Sequence, residues 1–278
     1  MFVDSGRELP QTWRKHGYYG RGQGKETNHR GGNGYAERMR KVTAYTLIGL
    51  LYAAANVLPL AFFWLVWPRT HAPAPLLLDT PYPLLVNALV ALIFPLQHTV
   101  WTQRPVKQAL HRAVTPHFER PLYVLGSGIG LVLTALLWQP IPAPLWDAPG
   151  AAVWALRGVF VLSIAGQIGS TRALGTRHMS GVDHVVSWAE QREVPEPRFQ
   201  EKFLYNRVRH PIAMCQLIML WSFGALRLDL FLLAAMWTAW IVLATILEER
   251  RLSHYHGAVY AEYKKRAGFL WPRLIQRG

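Results

Sequence analysis

Six stretches of the chain are continuously apolar and lack the alternation of an amphipathic element: residues 42–67, 82–101, 121–138, 151–169, 212–226 and 230–247. The first carries no charged side chain and the fourth carries only Arg157. A helix needs about 20 apolar residues to cross a bilayer, so blocks of this length and purity predict membrane spans. The fifth block is short. With the sixth it predicts a helical hairpin whose narrow turn carries Arg227 and Asp229. The expected fold is all-α: a polytopic membrane bundle of five to six transmembrane helices with a C-terminal helical hairpin.

The connections differ in character. Residues 68–83 contain Pro68, Pro73, Pro75, Pro81 and Pro83, and residues 139–144 read Gln-Pro-Ile-Pro-Ala-Pro, so both predict stiff spacers. Residues 170–210 form the longest polar connection, with a helix, a break at Pro195 and Pro197, and a second short helix leading into Tyr205. Loops of this length are often functional. Residues 1–38 are rich in Gly, Arg, His and Asn without apolar periodicity, a composition that cannot bury enough surface to fold alone. The expected organisation is a disordered basic extension over 1–38 and a membrane domain over 39–278.

Charge adds an orientation. All of the 30 Lys and Arg residues except Arg69, Arg157 and Arg227 fall before residue 42, in 102–120, in 170–210 or after 247. Cytoplasmic loops hold such an excess, which places both termini in the cytoplasm. This asymmetry and anionic headgroups account for the net charge of +14, so no nucleic-acid partner is expected. The single cysteine, Cys215, excludes an internal disulfide and reads as a packing residue.

The titratable residues near the span ends then converge. Gln97 and His98, Glu119, Arg120 and Tyr123, Arg172, Arg177 and His178, Arg209 and His210, and Glu248 and Glu249 all fall on the cytoplasmic side. Ionisable groups against apolar helices are costly and usually functional, which suggests a cofactor site opening to the cytosol. Pro211 suits the first turn of a helix, leaving His210 at its cap with free backbone N–H groups and Arg209 beside it, an arrangement for a carboxylate. Glu248 and Glu249 stand about 100° apart on a helix, so one can face a bound cation while the other pairs elsewhere. A ligand with a carboxylate, an ammonium and a positive reacting centre matches; S-adenosylmethionine has all three. Equally open is an ion-pair network that only anchors the hairpin.

His98 can deprotonate a weakly acidic substrate, since imidazole titrates near neutrality, or it can pack as an interface residue. The remaining histidines are scattered and no cysteine pair exists, so no metal is expected. Gly126-Ser127-Gly128-Ile129-Gly130 has the look of a nucleotide loop, but it lies inside an apolar span with no strand before it. Small residues there let helices approach closely.

Arg209-His210-Pro211, the hairpin, Glu248-Glu249-Arg250 and the trailing His256-Gly257, Tyr260 and Tyr263 resemble the C-terminal signature of integral-membrane methyltransferases, which include isoprenylcysteine carboxyl methyltransferases and phospholipid N-methyltransferases. Gln97-His98-Thr99, Glu119-Arg120-Pro121-Leu122-Tyr123-Val124-Leu125 and Leu137-Trp138-Gln139-Pro140-Ile141-Pro142, with Trp146-Asp147, resemble more specifically the methanethiol S-methyltransferase branch. The resemblance covers residues 43–272. It departs after Pro211, where Ile212-Ala213-Met214-Cys215 replaces the family's Tyr and following Gly.

What the resemblance implies is S-adenosylmethionine-dependent methyl transfer to a small thiol such as methanethiol, giving dimethyl sulfide. Arg209 and His210 would take the cofactor's carboxylate end and Glu248 or Glu249 its ammonium, with Tyr205, Tyr260 and Tyr263 as pocket walls. His98 would deprotonate the substrate with Glu119 as its orienter, unless Arg120 neutralises Glu119 instead. The expected partners are this small lipophilic substrate and membrane lipid. The alternatives are another lipophilic acceptor, such as a prenylcysteine carboxylate or a lipid amine, or a non-catalytic membrane factor that retains the fold. A histidine-liganded metal oxidoreductase is a third reading.

Overall fold

A computed structural model of the chain describes residues 32–66, 80–194 and 199–273. Most of the expected N-terminal extension, most of the first Pro-rich connection, and Pro195 and Pro197 lie outside the described residues. The first helix, α1 (Gly32–Val66), begins ahead of residue 39. It is followed by α2 (Pro83–Ala91), α3 (Ile93–Val100), α4 (Arg104–Ala113) and α5 (Glu119–Leu137), the last entered through a 3₁₀ turn at Pro116–Phe118. Then come β1 (Pro144–Asp147), α6 (Ala151–Leu174), α7 (Thr176–Met179), α8 (Val182–Ala189), a 3₁₀ turn at Phe203–Asn206, α9 (Pro211–Leu220), β2 (Ala225–Arg227) and α10 (Leu228–Arg266).

The polytopic helical bundle is borne out. Among the described residues five helical stretches are long and apolar enough to cross a membrane: α1, α2 with α3, α5, α6 and α10. The fifth apolar block forms only the 10 residues of α9. At about 1.5 Å per residue it is half a bilayer core in length, so it packs against α6 and α10 as the short arm of the hairpin.

Local chemistry explains how the helices meet. The α2–α3 span breaks at Leu92, and Pro95 has no N–H to offer the Ala91 carbonyl one turn back. The indole Nε1 of Trp237 on α10 donates to that carbonyl instead, at 2.9 Å. The glycines of α5 work as expected: a Cβ at Gly128 would come within 2.5 Å of Leu58 on α1, and one at Gly126 within 2.8 Å of the Gln97 amide. The apolar core lies between α1, α5, α9 and α10, built around Phe62, Trp138, Leu220, Leu233 and Trp237.

One expectation at one end of the bundle needs correction. Residues 139–144 are more than a spacer, because Gln139 is buried and exchanges two hydrogen bonds with Asn87: its N–H donates to Asn87 Oδ1 at 2.8 Å, and Asn87 Nδ2 donates to its carbonyl at 2.7 Å. Pro144–Asp147 then pairs antiparallel with Ala225–Arg227, a two-stranded sheet in an otherwise helical bundle. Arg227 and Asp229, carried at the hairpin's turn, are both buried. Asp229 is fully buried, accepting from Arg227 Nη2 at 2.8 Å, Arg227 Nε at 3.0 Å and Trp138 Nε1 at 3.3 Å. A buried carboxylate is tolerable only with such partners.

At the opposite end the C-terminal segment is stitched to the residues before α9. Gly268 N donates to Arg207 O at 2.9 Å, Arg209 N to Gly268 O at 2.8 Å and His210 N to Phe269 O at 3.3 Å. Gly257, at φ +53°, supplies a kink in α10 that other residues adopt only with strain.

Candidate active site

The stitched end of the bundle surrounds a cavity of about 240 Å³. Its polar wall includes Arg120, Tyr205, Arg209, His210 and Glu248, and its apolar wall includes Phe94, Trp240 and Ile241 with His98 and Tyr123 among them. Elements distant in sequence therefore deliver His98, Arg209, His210 and Glu248 to one place, as the span-end clustering implied.

Pro211 opens α9 with His210 as its N-cap residue. The two glutamates of α10 separate in role. Glu249 is the hub of an internal cluster, accepting from His210 Nε2 at 2.7 Å, Arg209 Nη2 at 2.9 Å and Tyr260 Oη at 3.0 Å. Arg209 completes its fork by donating Nη1 to the Ala267 carbonyl at 2.6 Å. Glu248 lies in the cavity wall, with Oε2 3.7 Å from His210 Nδ1. Phe269 packs its ring against both His210 and Arg209, which fixes their planes.

Of the three tyrosines expected as walls, Tyr205 lines the cavity. Tyr260 and Tyr263 stand behind it. Tyr260 holds Glu249, and Tyr263 donates to the Tyr205 carbonyl at 2.5 Å, tying the 3₁₀ turn to α10. Burial of the Tyr205 side chain raises its phenol above the ordinary range.

Glu119 does not orient His98. It sits at the start of α5, clamped from α4 by Lys107 Nζ at 2.6 Å and His111 Nε2 at 2.7 Å, two side chains spaced i, i+4 on one helix face. His98 is engaged instead by α5 hydroxyls deeper in the bundle: Tyr123 Oη lies 2.5 Å from Nε2 and Ser127 Oγ 3.2 Å from Nδ1. Nor does Arg120 neutralise Glu119. Its Nε donates to the Met179 carbonyl at 3.0 Å, and its guanidinium lies 5.2 Å from the Tyr123 ring centroid. Gly181 makes this possible, since at φ +85° it brings the α7–α8 corner so close that a Cβ would meet Pro121 N at 2.9 Å. On the same corner His184 packs against His178, ring centroids 5.0 Å apart, and burial together with the charge of His178 lowers its pKa to about 3.

The sequence placed Arg120 and Tyr123 at this end of the bundle without the contacts they make there, and left Ser127 and Trp240 without roles in the site. One signal was available: Tyr123 and Ser127 are hydroxyls at i, i+4 in an apolar helix, and so share a face.

The chain resembles several named proteins along most of its length. The chain is 32% identical over 194 residues to methanethiol S-methyltransferase 2 of Bradyrhizobium diazoefficiens, covering 70% of this chain and 75% of the relative. The chain belongs to the methanethiol S-methyltransferase family. The family's Mycobacterium tuberculosis member is 31% identical over 191 residues, 67% of this chain and 77% of that one. Nurim of Sus scrofa is 27% identical over 183 residues, 62% of this chain and 69% of its own length. No protein-family model and no solved structure matches the chain. Membership makes it an integral membrane methyltransferase.

Proposed function

We propose that the chain moves the methyl group of S-adenosylmethionine to a small thiol such as methanethiol, with dimethyl sulfide as product. The observation that carries this reading is a single cavity lined by Glu248, by the cations Arg120 and Arg209, and by an aromatic enclosure around His98. The donor set fits the cofactor: a carboxylate for its ammonium, guanidinium and imidazole groups for its carboxylate, and an apolar region for a reacting sulfur. When bound, S-adenosylmethionine supplies an electrophilic methyl on a sulfonium.

The chain's own work is positioning, water exclusion and charge. Glu248 holds the ammonium. Arg209 and His210, kept rigid by Glu249 and Phe269, form the cationic rim together with Arg120. Phe94 and Trp240 keep water from the acceptor, which favours displacement between pre-aligned sulfurs. His98 receives the proton that the thiol must lose. Both termini lie in the cytoplasm in this reading, so the cavity opens towards the cofactor's pool.

The test is to incubate purified protein with methyl-labelled S-adenosylmethionine and a panel of volatile thiols, prenylcysteines and lipid amines. Label is expected in dimethyl sulfide. Label in a lipid or prenylcysteine overturns the thiol assignment, and no calorimetric binding of S-adenosylmethionine overturns the whole reading.

A further inference from the structure

In the apolar half of the cavity the His98 ring is met by hydroxyls from α5. Tyr123 Oη lies 2.5 Å from Nε2 and 3.0 Å from Nδ1, and Ser127 Oγ lies 3.2 Å from Nδ1. The ring is also enclosed on its faces and edges by Phe94 at 5.1 Å, Tyr123 at 4.8 Å and Trp240 at 5.5 Å between centroids. Trp240 is itself held by donating Nε1 to Thr99 Oγ1 at 3.1 Å. The Tyr123 hydroxyl, set against this enclosed ring, lines the cavity beside it.

We infer that Tyr123 is the catalytic residue that takes the thiol proton, relaying its own proton to His98, with Ser127 positioning the imidazole. The inference rests on the thiol reading of the preceding section. In the tautomer protonated on Nδ1, that N–H donates to Ser127 Oγ and the Tyr123 O–H donates to Nε2. A hydroxyl is both donor and acceptor, so its oxygen can receive a second proton while giving up the first. The S–H bond breaks with its electron pair left on sulfur, and its proton goes to Tyr123 Oη. The original Tyr123 proton goes to Nε2. The net change is thiol plus neutral imidazole to thiolate plus imidazolium, with the tyrosine unchanged. The thiolate then forms its bond to the methyl carbon as the old carbon–sulfur bond breaks towards the departing thioether. Once the product has left, the imidazolium passes its proton back through Tyr123 Oη to water, so each turnover releases one proton to solvent.

Two further features suit this role. The Arg120 guanidinium, 5.2 Å from the Tyr123 ring centroid, places a positive charge beside the nascent thiolate, and no carboxylate lies within ion-pair distance of Arg120 among the described residues. The tyrosine ring is braced from both sides, by His98 and by Arg120, so its hydroxyl is aimed rather than free to swing.

The competing explanation is that Tyr123, His98 and Ser127 only tether α3 to α5. Tyr123→Phe keeps the ring and removes the hydroxyl. The relay predicts that S-adenosylmethionine affinity stays within about threefold while kcat/KM for methanethiol at pH 7 falls about 100-fold, the range of one acid–base group. It also predicts that the deficit shrinks about tenfold per pH unit as the solution supplies thiolate directly. A Tyr123→Phe protein with kcat/KM within threefold of wild type and the wild-type pH profile overturns the relay. Should that variant not fold, difluorotyrosine placed at position 123 alone keeps size and hydroxyl while making the phenol more acidic. The relay predicts a shifted pH profile and a tether predicts the original one. Wild-type protein that transfers label to no thiol overturns both the relay and the thiol reading, whereas an active wild type with an unaffected Tyr123→Phe overturns the relay alone.

Discussion

Replacing Glu248 by Gln is expected to weaken S-adenosylmethionine binding without unfolding the protein, and replacing Glu249 by Gln to cost stability as well. The two residues are adjacent, yet their surroundings differ. Glu249 accepts from Arg209, His210 and Tyr260, and the Arg209 and His210 side chains are only 9% and 5% exposed. Removing one partner from a buried pair costs roughly 3–5 kcal/mol, because the charge left behind stays desolvated. Glu249 is 17% exposed and a Gln amide still accepts one hydrogen bond, so about 2–4 kcal/mol is expected here. Glu248 lines the cavity, where the proposed role is to hold the cofactor's ammonium, and a charge-assisted hydrogen bond contributes about 1.5–3 kcal/mol. At about 1.4 kcal/mol per decade, Glu248→Gln should raise the dissociation constant roughly 10- to 150-fold.

Two measurements on detergent-solubilised protein separate the residues: calorimetric titration with S-adenosylmethionine, and thermal unfolding followed by tryptophan fluorescence. Glu248→Gln should unfold near the wild-type temperature and bind weakly. Glu249→Gln should unfold at a lower temperature, and bind weakly because Arg209 and His210 lose their support. A Glu248→Gln protein that binds as wild type would refute the assignment of the ammonium, and a Glu249→Gln protein of unchanged stability would refute the hub.

Glu119→Gln should change methanethiol methylation by less than threefold, since Glu119 meets Lys107 and His111 and not His98; a 100-fold loss in a kinetic assay would restore it to the chemistry. Asp229→Ala should lower stability by about 3–5 kcal/mol, since it removes the buried carboxylate that accepts from Arg227 and Trp138, as read by denaturant unfolding in detergent. His184, whose pKa is lowered to about 3, is neutral in the fold, whereas the unfolded chain protonates it below about pH 6.5. Its contribution to stability is therefore complete above pH 6.5 and lost as pH falls towards 3, at up to about 1.4 kcal/mol per pH unit, and His184→Leu should flatten that limb of a stability–pH curve.

The bundle was legible because membrane burial writes itself into long uncharged blocks, and the cluster at one end was legible because charge there is expensive. Pairings were not. Periodicity tells which residues share a helix face, but the rotation of that helix against its neighbours is set by packing. That is why Glu248 and Glu249 could be given one shared task but not told apart. It is also why Glu119 could be assigned to His98 when the next helical turn, at Tyr123, makes the contact. The Pro-rich 139–144 segment misled for a different reason. Proline predicts stiffness, and only the fold supplies the Asn87 side chain, 52 residues away, that binds the Gln139 backbone.

The same distinction explains a proline that looks out of place within a span. Pro95 leaves the Ala91 carbonyl without its helical donor, in surroundings where an unsatisfied carbonyl costs several kcal/mol, on the order of the peptide-group penalty in hydrocarbon. Trp237 answers it from α10, and three residues further along that helix Trp240 donates to Thr99 on α3. Two indole bonds, one to the end of α2 and one to α3, fix both the rotation and the axial position of α10 against the α2–α3 span. Trp240, Ala244 and Glu248 follow at i, i+4, i+8 on one face, so the wall beside His98 and the acid at the polar end are carried on one rigid helix about 12 Å apart. The proline thus creates the vacancy through which α10 is registered, and that register brings a base on one span and a carboxylate on another to the same cavity.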